Sequence, residues 1–490
     1  MKIKVTSEIA QIKYQEPFKL YLKESQNGNT PSLLMESKSP NQKYPRKSII
    51  VPNPAVKIEG KNEEFKITAL NKAGKKILNF FSKKDFDYAI NYFQDKKTIK
   101  GKVLKQENKN ANEEKEAKLK NISCVIKTVL NKFDSSDSCA GVYGVFAYDF
   151  AKNFYKVEER QKEENINDFE LFLPTKIYLL HDNEKRAEMH EFLFNSEKFE
   201  EEKPKKSFSF KKQKKQEQTD LSDDQYKEVV AKSIEEIKKG RVIQCVLSRK
   251  TTVSLQKHPI KSYELLRATN PSPYSFYYNL GNNEILYGAS PEMHIKIYNT
   301  KKGKEIEIRP IAGTIMRSKN PLEDAEARKN LLNDEKEIRE HTMLVDLARH
   351  EIYKLSKTNS VEVIDLFTLE NYPNLYHLVS GIKGMLKENK DAVDALLITL
   401  PAGTLSGAPK QEAMKMIEEY EGSKRGYYGG ASGLLAFNGE CNTGITIRTI
   451  YVKNNNSEVR GGAGITALST PEKELNEIKL KTSKAMEVLG

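Results

Sequence analysis

Four glutamates stand in two pairs, each pair three residues apart. Glu337 and Glu340 lie in DEKEIREHTMLVDLARHEI at 334–352, and Glu474 and Glu477 follow Ser469–Thr470–Pro471–Glu472 near the end of the chain. The apolar pattern of 334–352 predicts a helix. A Ser or Thr cap with an early proline predicts a second helix from 471. Two helices that each present a carboxylate pair offer hard oxygen ligands. Mg²⁺ suits them, because it takes few protein carboxylates and keeps places for water and substrate oxygen. Taken alone, either pair reads as an ordinary charged helix face. Zinc is not expected, since there is no HExxH and no His–Cys cluster.

Other reactive groups occur singly. Arg241–Arg249 reads RVIQCVLSR, a strand by its alternation, with Gln244, Val246 and Ser248 on one face. A glutamine among apolar neighbours needs partners if it is buried, as a satisfied core amide or as a site residue. Glu292, in GASPEMHI at 288–295, follows a Ser-Pro turn and precedes a strand. In an open turn it is a surface charge; enclosed beside another carboxyl, its pKa rises and it becomes a general acid. RPIAGTIMR at 309–317 places Gly313 and Thr314 after an apolar strand, where a ligand can touch backbone. GGAGI at 461–465 precedes the second acidic helix and can turn N–H groups toward an anion. LPAGTLSGAPK at 400–410 does not fit GxxxxGK[ST], so nucleotide binding is not expected. His377, in NLYHLVS, reads on its own as a structural histidine.

These groups need elements to hold them. Ser222 with Gln225 forms a capping box, and Tyr226, Val229, Val230, Ile234 and Ile237 recur at helical spacing until Gly240. From there to Gly490 strands and helices alternate with dense glycine. Upstream, strands are expected at 48–58 and 64–70, a short helix from Phe86 to Phe93, and a charged helix or loop from Lys105 to Lys120. A buried strand is expected at 140–150 (AGVYGVFAYDF), its glycines admitting another backbone, and a strand pair at 169–181 (FELFLPTKIYLLH). The chain thus divides into 1–200, a lysine-rich loop at 201–221, and 222–490.

The 490 residues correspond to roughly three domain-sized units or one large α/β body. A hydrophobic fraction of 38% supplies a core and excludes wholesale disorder. No run of about 18 apolar residues exists, so no membrane span is expected. Met1–Gln11 lacks the apolar core of a signal peptide. Cys124, Cys139, Cys245 and Cys441 form no CxxC pair, which excludes a disulfide scaffold and points to a reducing cytoplasm. The net charge of +13 suggests nucleic acid, but its distribution argues otherwise. Seven lysines crowd into 203–215 with Ser, Gln and only Phe208 and Phe210 as aromatics, which reads as a solvated loop. Eleven of the fourteen arginines lie singly between Arg241 and Arg460, the setting in which arginine grips carboxylates.

In order and wording, the segments of 222–490 resemble the chorismate-utilising enzymes, and within them the large subunits (component I) of anthranilate synthase. SLLMES at 32–37 extends the likeness into the N-terminal part. The resemblance implies an α+β fold: two large antiparallel β-sheets packed as a sandwich with helices outside, and the N-terminal part woven in. Isochorismate and salicylate synthases carry a water-activating lysine where this chain has Gln244, which cannot serve as that base. Aminodeoxychorismate synthases carry lysine in PIKGT where this chain has PIAGT with Ala312. The implied activity is therefore amination of chorismate at C2 and release of pyruvate to give anthranilate, the first committed step of L-tryptophan biosynthesis. The alternative is component I of aminodeoxychorismate synthase, in the folate pathway.

By the same resemblance Glu340 and Glu477 bind Mg²⁺, with Glu337 and Glu474 as acidic support. Tyr428 and Arg448 hold the enolpyruvyl carboxylate. Gly313, Thr314, Gly462, Ala463 and Gly464 line the substrate, His377 and Thr404 border the ring, and Glu292 assists loss of the C4 hydroxyl. Ser37 with Pro273–Tyr274–Ser275 matches a tryptophan feedback site, although methionine is usual at Ser275 and asparagine is common at His350. Tyr274 and Leu34 are expected to supply that site's apolar slot. No cysteine has the GxCxG context of a glutaminase. A separate glutamine amidotransferase subunit (component II), and hence a hetero-oligomer, is implied.

Overall fold

Runs of β-branched and aromatic residues fold into strands throughout the chain. The computed structural model describes residues 2–38, 46–106, 119–161, 165–200, 202, 204–371 and 375–490. Among these, two sheets of thirteen strands each are formed. One runs from Glu217–Thr219 through Gln244–Ser254, Asn456–Ile465, Thr449–Lys453, Glu284–Ser290 and Tyr274–Gly281. It continues through Ser32–Glu36, Lys47–Val51, Lys176–His181, Arg186–Phe194, Ile3–Ile12 and Phe133–Asp134, and Gly407–Ala408 joins it beside Gln244. The other runs from Ile311–Met316 through Leu375–Met385, Gly303–Ile308, Met293–Thr300, Cys441–Ile445 and Ala431–Ala436. It continues through Gly141–Phe146, Phe169–Leu173, Val56–Lys61, Glu64–Ala69, Thr98–Lys102 and Ile90–Gln94, and Glu362–Asn371 pairs off this path. Pairing is antiparallel except between Ile3–Ile12 and Phe133–Asp134.

Both sheets cross from the N-terminal to the C-terminal part of the chain. In the first, Ser275 pairs with Glu36; in the second, Ala431 pairs with Phe146. The period of two explains how the layers stack. Leu33, Phe276 and Tyr278 join the apolar cluster shared by the two sheets, whereas Leu34, Tyr277 and Tyr287 face an outer cluster. That outer cluster includes residues of helices Pro17–Glu24, Pro259–Thr269 and Pro471–Leu489. The sandwich with outer helices expected from the sequence is thus observed. Each fully buried large side chain contributes about 1.5–3 kcal/mol.

The capping box is present: Gln225 N–H donates to Ser222 Oγ (3.2 Å), Ser222 N–H to Gln225 Oε1 (2.8 Å), and helix Asp223–Lys238 follows. Several expectations need correction. Phe86–Phe93 is not a helix: a short 3₁₀ turn, Lys83–Phe86, leads into strand Ile90–Gln94. Asp95 accepts N–H groups from Lys97 and Thr98 (both 2.7 Å), and the resulting turn offers Thr98–Lys102 as a pairing partner. Phe169–Leu173 and Lys176–His181 are strands, but they lie in different sheets and do not pair with each other. Thr470 occupies the N-cap of the last helix without a side-chain cap bond. The 105–120 segment falls largely outside the described residues. The lysine-rich stretch is a loop, but it is pinned: Phe208 is buried in the outer cluster, and Ser207 donates to Asn279 (2.8 Å). The four cysteines are free thiols, and among the described residues no helix is long and apolar enough to cross a membrane.

Gly141–Phe146 carries the closest backbone approach, as its glycines suggest. A Cβ on Gly144 would lie 2.0 Å from Glu170 O, and one on Gly141 would lie 2.2 Å from Leu435 O. Gly144→Ala should therefore destabilise the fold by about 1–3 kcal/mol, read as a lower denaturation midpoint in urea. An unchanged midpoint would mean that the strands separate at no cost.

Candidate active site

Gln244 opens a strand that the chain places between Gly407–Ala408 and Asn456–Ile465, so its amide is forced into the interior. It is 2% exposed. Its Nε2 donates to Glu340 Oε1 (2.9 Å), while its Oε1 is buried without a hydrogen-bond partner among the described residues. Gly464, opposite Val246, leaves the room: a Cβ there would lie 2.4 Å from Gln244 Nε2 and 3.5 Å from Glu340 Oε1. Gly462, opposite Ser248, does the same for Tyr428, whose hydroxyl would be 2.8 Å from an added Cβ. Ala463, between these glycines, is buried.

The two acidic helices, Glu335–Leu355 and Pro471–Leu489, bring their glutamates into one another's field. Burial, then Glu340 and more distantly Glu477, raise the Glu337 carboxyl above its ordinary value. Burial raises Glu474 too, and Glu477 adds to it. Glu477 is ion-paired to Lys481 (2.5 Å) and Glu340 is held by Gln244. As these side chains stand, no three His, Cys, Asp or Glu groups among the described residues meet closely enough to grip a metal. The all-oxygen donor set nevertheless fits a hard divalent cation better than a soft one.

Lys481 has no motif of its own in the sequence. It lies four residues after Glu477, donates to Gly462 O (2.9 Å), and its charge pulls the Glu292 pKa downward. The i,i+4 spacing from Glu477 is the signal that finds it. Arg448 donates to Lys481 O and sits at φ +54°. Left-handed backbone at a non-glycine residue stores strain of about 1–3 kcal/mol and concentrates at functional sites. Tyr428 and Glu477 both act on the Arg448 charge, which burial disfavours.

Glu292 is 5% exposed and takes a hydrogen bond from Thr404 Oγ1 (2.9 Å). Burial lifts its pKa to about 7; the Thr404 bond, the Ile311 backbone and Lys481 hold it from rising further. Desolvation, rather than the neighbouring carboxyl that the sequence suggests, is the cause. Thr314 Oγ1 and His377 Nδ1 are hydrogen-bonded at 2.7 Å. Burial and then the Arg448 charge lower the His377 pKa to about 4, so its ring is neutral near pH 7. Gly313 has φ +89°, a conformation in which a side chain is strained, and its own Cβ would lie 2.9 Å from Leu378.

Ser37 and Pro273–Ser275 are neighbours across paired strands: Lys38 N–H donates to Ser272 O (3.0 Å), and Ser275 pairs with Glu36. Their side chains divide between two faces. Tyr274 packs between the sheets, its Cγ 2.5 Å from where a Gly444 Cβ would be, whereas Leu34 opposes Tyr277 in the outer cluster. Leu34 and Tyr274 therefore cannot line one slot, because their positions differ by an odd number of residues in register. The buried Glu36, bound by Arg267 (2.9 Å and 2.5 Å) and Tyr263 (2.7 Å), anchors the outer side.

The family model described as chorismate binding enzyme matches residues 70–487. Anthranilate synthase component 1 of Acetivibrio thermocellus is 44% identical over 275 residues, 56% of this chain and 55% of that protein. The protein of the same name from Aquifex aeolicus is 37% identical over 371 residues, 71% of this chain and 74% of its own length. The chain spans about half the length of most of the curated relatives it matches. The crystal structure of anthranilate synthase component I from Streptococcus pneumoniae TIGR4 superposes with a TM-score of 0.67 at 27% identity, covering 89% of this chain and 92% of that one.

The Glu292 environment gives a titration with a fixed sign. Its pKa is about 7 in the folded protein and 4.5 as an ordinary glutamate. Folding therefore takes up a proton between those values, so this group's contribution falls as pH rises from 4.5 to about 7 and is flat above. Glu292→Gln should remove that slope. Urea denaturation from pH 5 to pH 8 reads it, and parallel profiles for wild type and variant would contradict the buried acid.

Proposed function

The chain belongs to the chorismate binding enzymes, and from that premise we propose that it is the large subunit of an anthranilate synthase. Chorismate and ammonia would give anthranilate, pyruvate and water. The observation that carries this reading is Gln244: a buried amide oxygen without a partner among the described residues, beside a glutamate and a glycine-lined space. An amide is no base at neutral pH, but its oxygen accepts from an N–H donor. Ammonia has such a donor and keeps its lone pair for attack. Ala312, 8% exposed and lacking an amine, supports the same choice over a covalent route through lysine.

In this reading Arg448 and Tyr428 take the enolpyruvyl carboxylate, and Lys481 supplies a second cation. Glu340 and Glu477 would hold Mg²⁺, with Glu337 and Glu474 adding negative charge, and the ion would neutralise the ring carboxylate. Ammonia, donating to Gln244 Oε1, forms its bond at C2 while the ring double bonds shift and the C4–O bond breaks. Protonated Glu292, oriented by Thr404, gives the departing hydroxyl its proton, so water leaves. The aminated ring then loses its C2 proton and its C3–O bond, and pyruvate departs as the ring becomes aromatic. Neutral His377, fixed by Thr314, borders the ring. The gain from holding both carboxylates before attack is one of orientation.

Ammonia would come from a glutamine amidotransferase subunit. Burial pushes the Cys139, Cys245 and Cys441 thiols up to about 12, which unfits them as glutaminase nucleophiles. Tryptophan would bind beside Ser37, Pro273 and Tyr274. A route to the active site exists in the packing: Tyr274 lies on Gly444, and the next residue, Ile445, donates its N–H to Glu292 O (3.0 Å). Binding there would oppose chorismate as a coupling between two states.

Incubation of the purified chain with chorismate, Mg²⁺ and ammonium at alkaline pH should yield a fluorescent product, with little background from a chain that has no tryptophan. Glu340→Gln and Glu477→Gln should each stay folded and lose turnover by at least about 100-fold, the loss being greatest at limiting Mg²⁺. Normal Mg²⁺ dependence in either variant would remove the metal assignment. A separate outcome concerns feedback. Ser37→Phe should relieve inhibition by L-tryptophan while leaving the uninhibited rate intact, and retained sensitivity would exclude this pocket.

A further inference from the structure

Arg425 is buried and has no role in the scheme above, yet its guanidinium meets three segments that each carry a site residue. Its Nε donates to Glu421 (3.2 and 3.0 Å) and its Nη2 to Glu421 Oε1 (2.5 Å). Its Nη2 also donates to Val246 O (2.7 Å), two residues along the strand from Gln244. Its Nη1 donates to Leu405 O (2.5 Å), the residue after Thr404. The guanidinium carbon lies 4.6 Å from the centre of the Tyr148 ring and 5.7 Å from that of Tyr428. Glu421 extends the clamp: its Oε1 accepts Ser248 N–H (2.7 Å) and Oγ (2.8 Å), and its Oε2 accepts Arg460 Nη1 (3.1 Å).

We infer that Arg425, seated on Glu421, is a positioning residue that locks Gln244, Thr404 with Glu292, and Tyr428 into one rigid geometry. For what those residues do, the inference rests on the function proposed above; the clamp itself rests on these contacts. The chemistry of the site explains why an arginine is needed. Gln244, Thr404, which holds the acid Glu292, and the carboxylate holder Tyr428 stand on a strand, a four-residue helix (Gly403–Ser406) and a turn that are remote in sequence. The end of so short a helix leaves carbonyls unpaired, and Arg425 satisfies one of them. A planar fork reaches all three directions at once, whereas an ammonium is a single point charge on a flexible stem. Burial of the guanidinium is tolerable because its carboxylate partner is fully buried with it and accepts further donors.

The test compares Arg425→Lys and Glu421→Gln with wild type. Both variants should fold. Each should lower kcat for chorismate about 100-fold, the penalty of a displacement near 1 Å, with a smaller rise in KM. In a Thr404→Val background, Arg425→Lys should cost less than about 10-fold, because the Thr404–Glu292 part of the geometry it protects is already lost. Wild-type kcat and KM in Arg425→Lys, or costs that multiply independently of Thr404, would overturn the clamp. If neither variant folds, native-state amide exchange on wild type decides. Ser248 N–H, held by Glu421, should then exchange only through global unfolding, and exchange through a local opening would overturn the clamp. Failure of the proposed function is separable. If wild type makes no anthranilate, the readout is the Glu292 titration. Arg425→Lys should raise it as the Thr404 bond loosens, and an unmoved titration would overturn the clamp.

Discussion

Four carboxylates from two helices share one partly buried region, where Glu340 and Glu477 repel Glu337 and Glu477 repels Glu474, and the candidate site is organised around that crowding of negative charge. Burial, with the neighbouring carboxylates adding to it, makes Glu337 and Glu474 hold their protons more tightly; Glu477 pairs with Lys481, and Glu340 accepts from Gln244. In the proposed reaction a substrate with two carboxylates would add to the repulsion, and Arg448, Lys481 and Mg²⁺ would supply the opposite charge. The same balance leaves Gln244 with one hydrogen bond spent on Glu340 and, among the described residues, one acceptor open. In the proposed reaction that acceptor would favour a nucleophile that carries N–H.

The sandwich exists to bring these groups together from distant places. The Gln244 strand, the Glu292 turn and the glycine strand at 461–465 are held in two sheets that draw strands from both ends of the chain. At the seam in the first sheet, Glu36 and Ser275 lie side by side, and the same strand pair places Tyr274 against Gly444. A feedback pocket at this seam would share a rigid connection with Glu292. The buried charges follow the same logic on the other side: Arg425, Arg460 and Glu421 link loops that no continuous element connects.

Much of this was legible in the sequence because it is local. The capping box at Ser222, the strand parity of Gln244, and the paired glutamates on two helices each follow from spacing within one element. What could not be read was set by contacts between elements. Glu292 is raised by the walls around it rather than by a second carboxyl, and no spacing predicts those walls. Phe86–Phe93 has apolar residues enough for a helix, but the Asp95 turn supplies a strand partner that wins. The motifs suggest that Leu34 and Tyr274 supply one apolar slot, but register parity puts them on opposite faces of the sheet. Lys481 and Arg425 look like ordinary basic residues until the fold shows what they touch.

In the proposed reaction ammonia attacks the ring carbon next to the one bearing the carboxylate. Reaction of the purified chain with chorismate, Mg²⁺ and ¹⁵N-ammonium, followed by NMR of the isolated product, tests it directly. The account predicts an aromatic amine with ¹⁵N on the carbon adjacent to the carboxyl-bearing carbon, and one pyruvate per label. Label at the opposite ring position, or an unlabelled hydroxylated product, would contradict it.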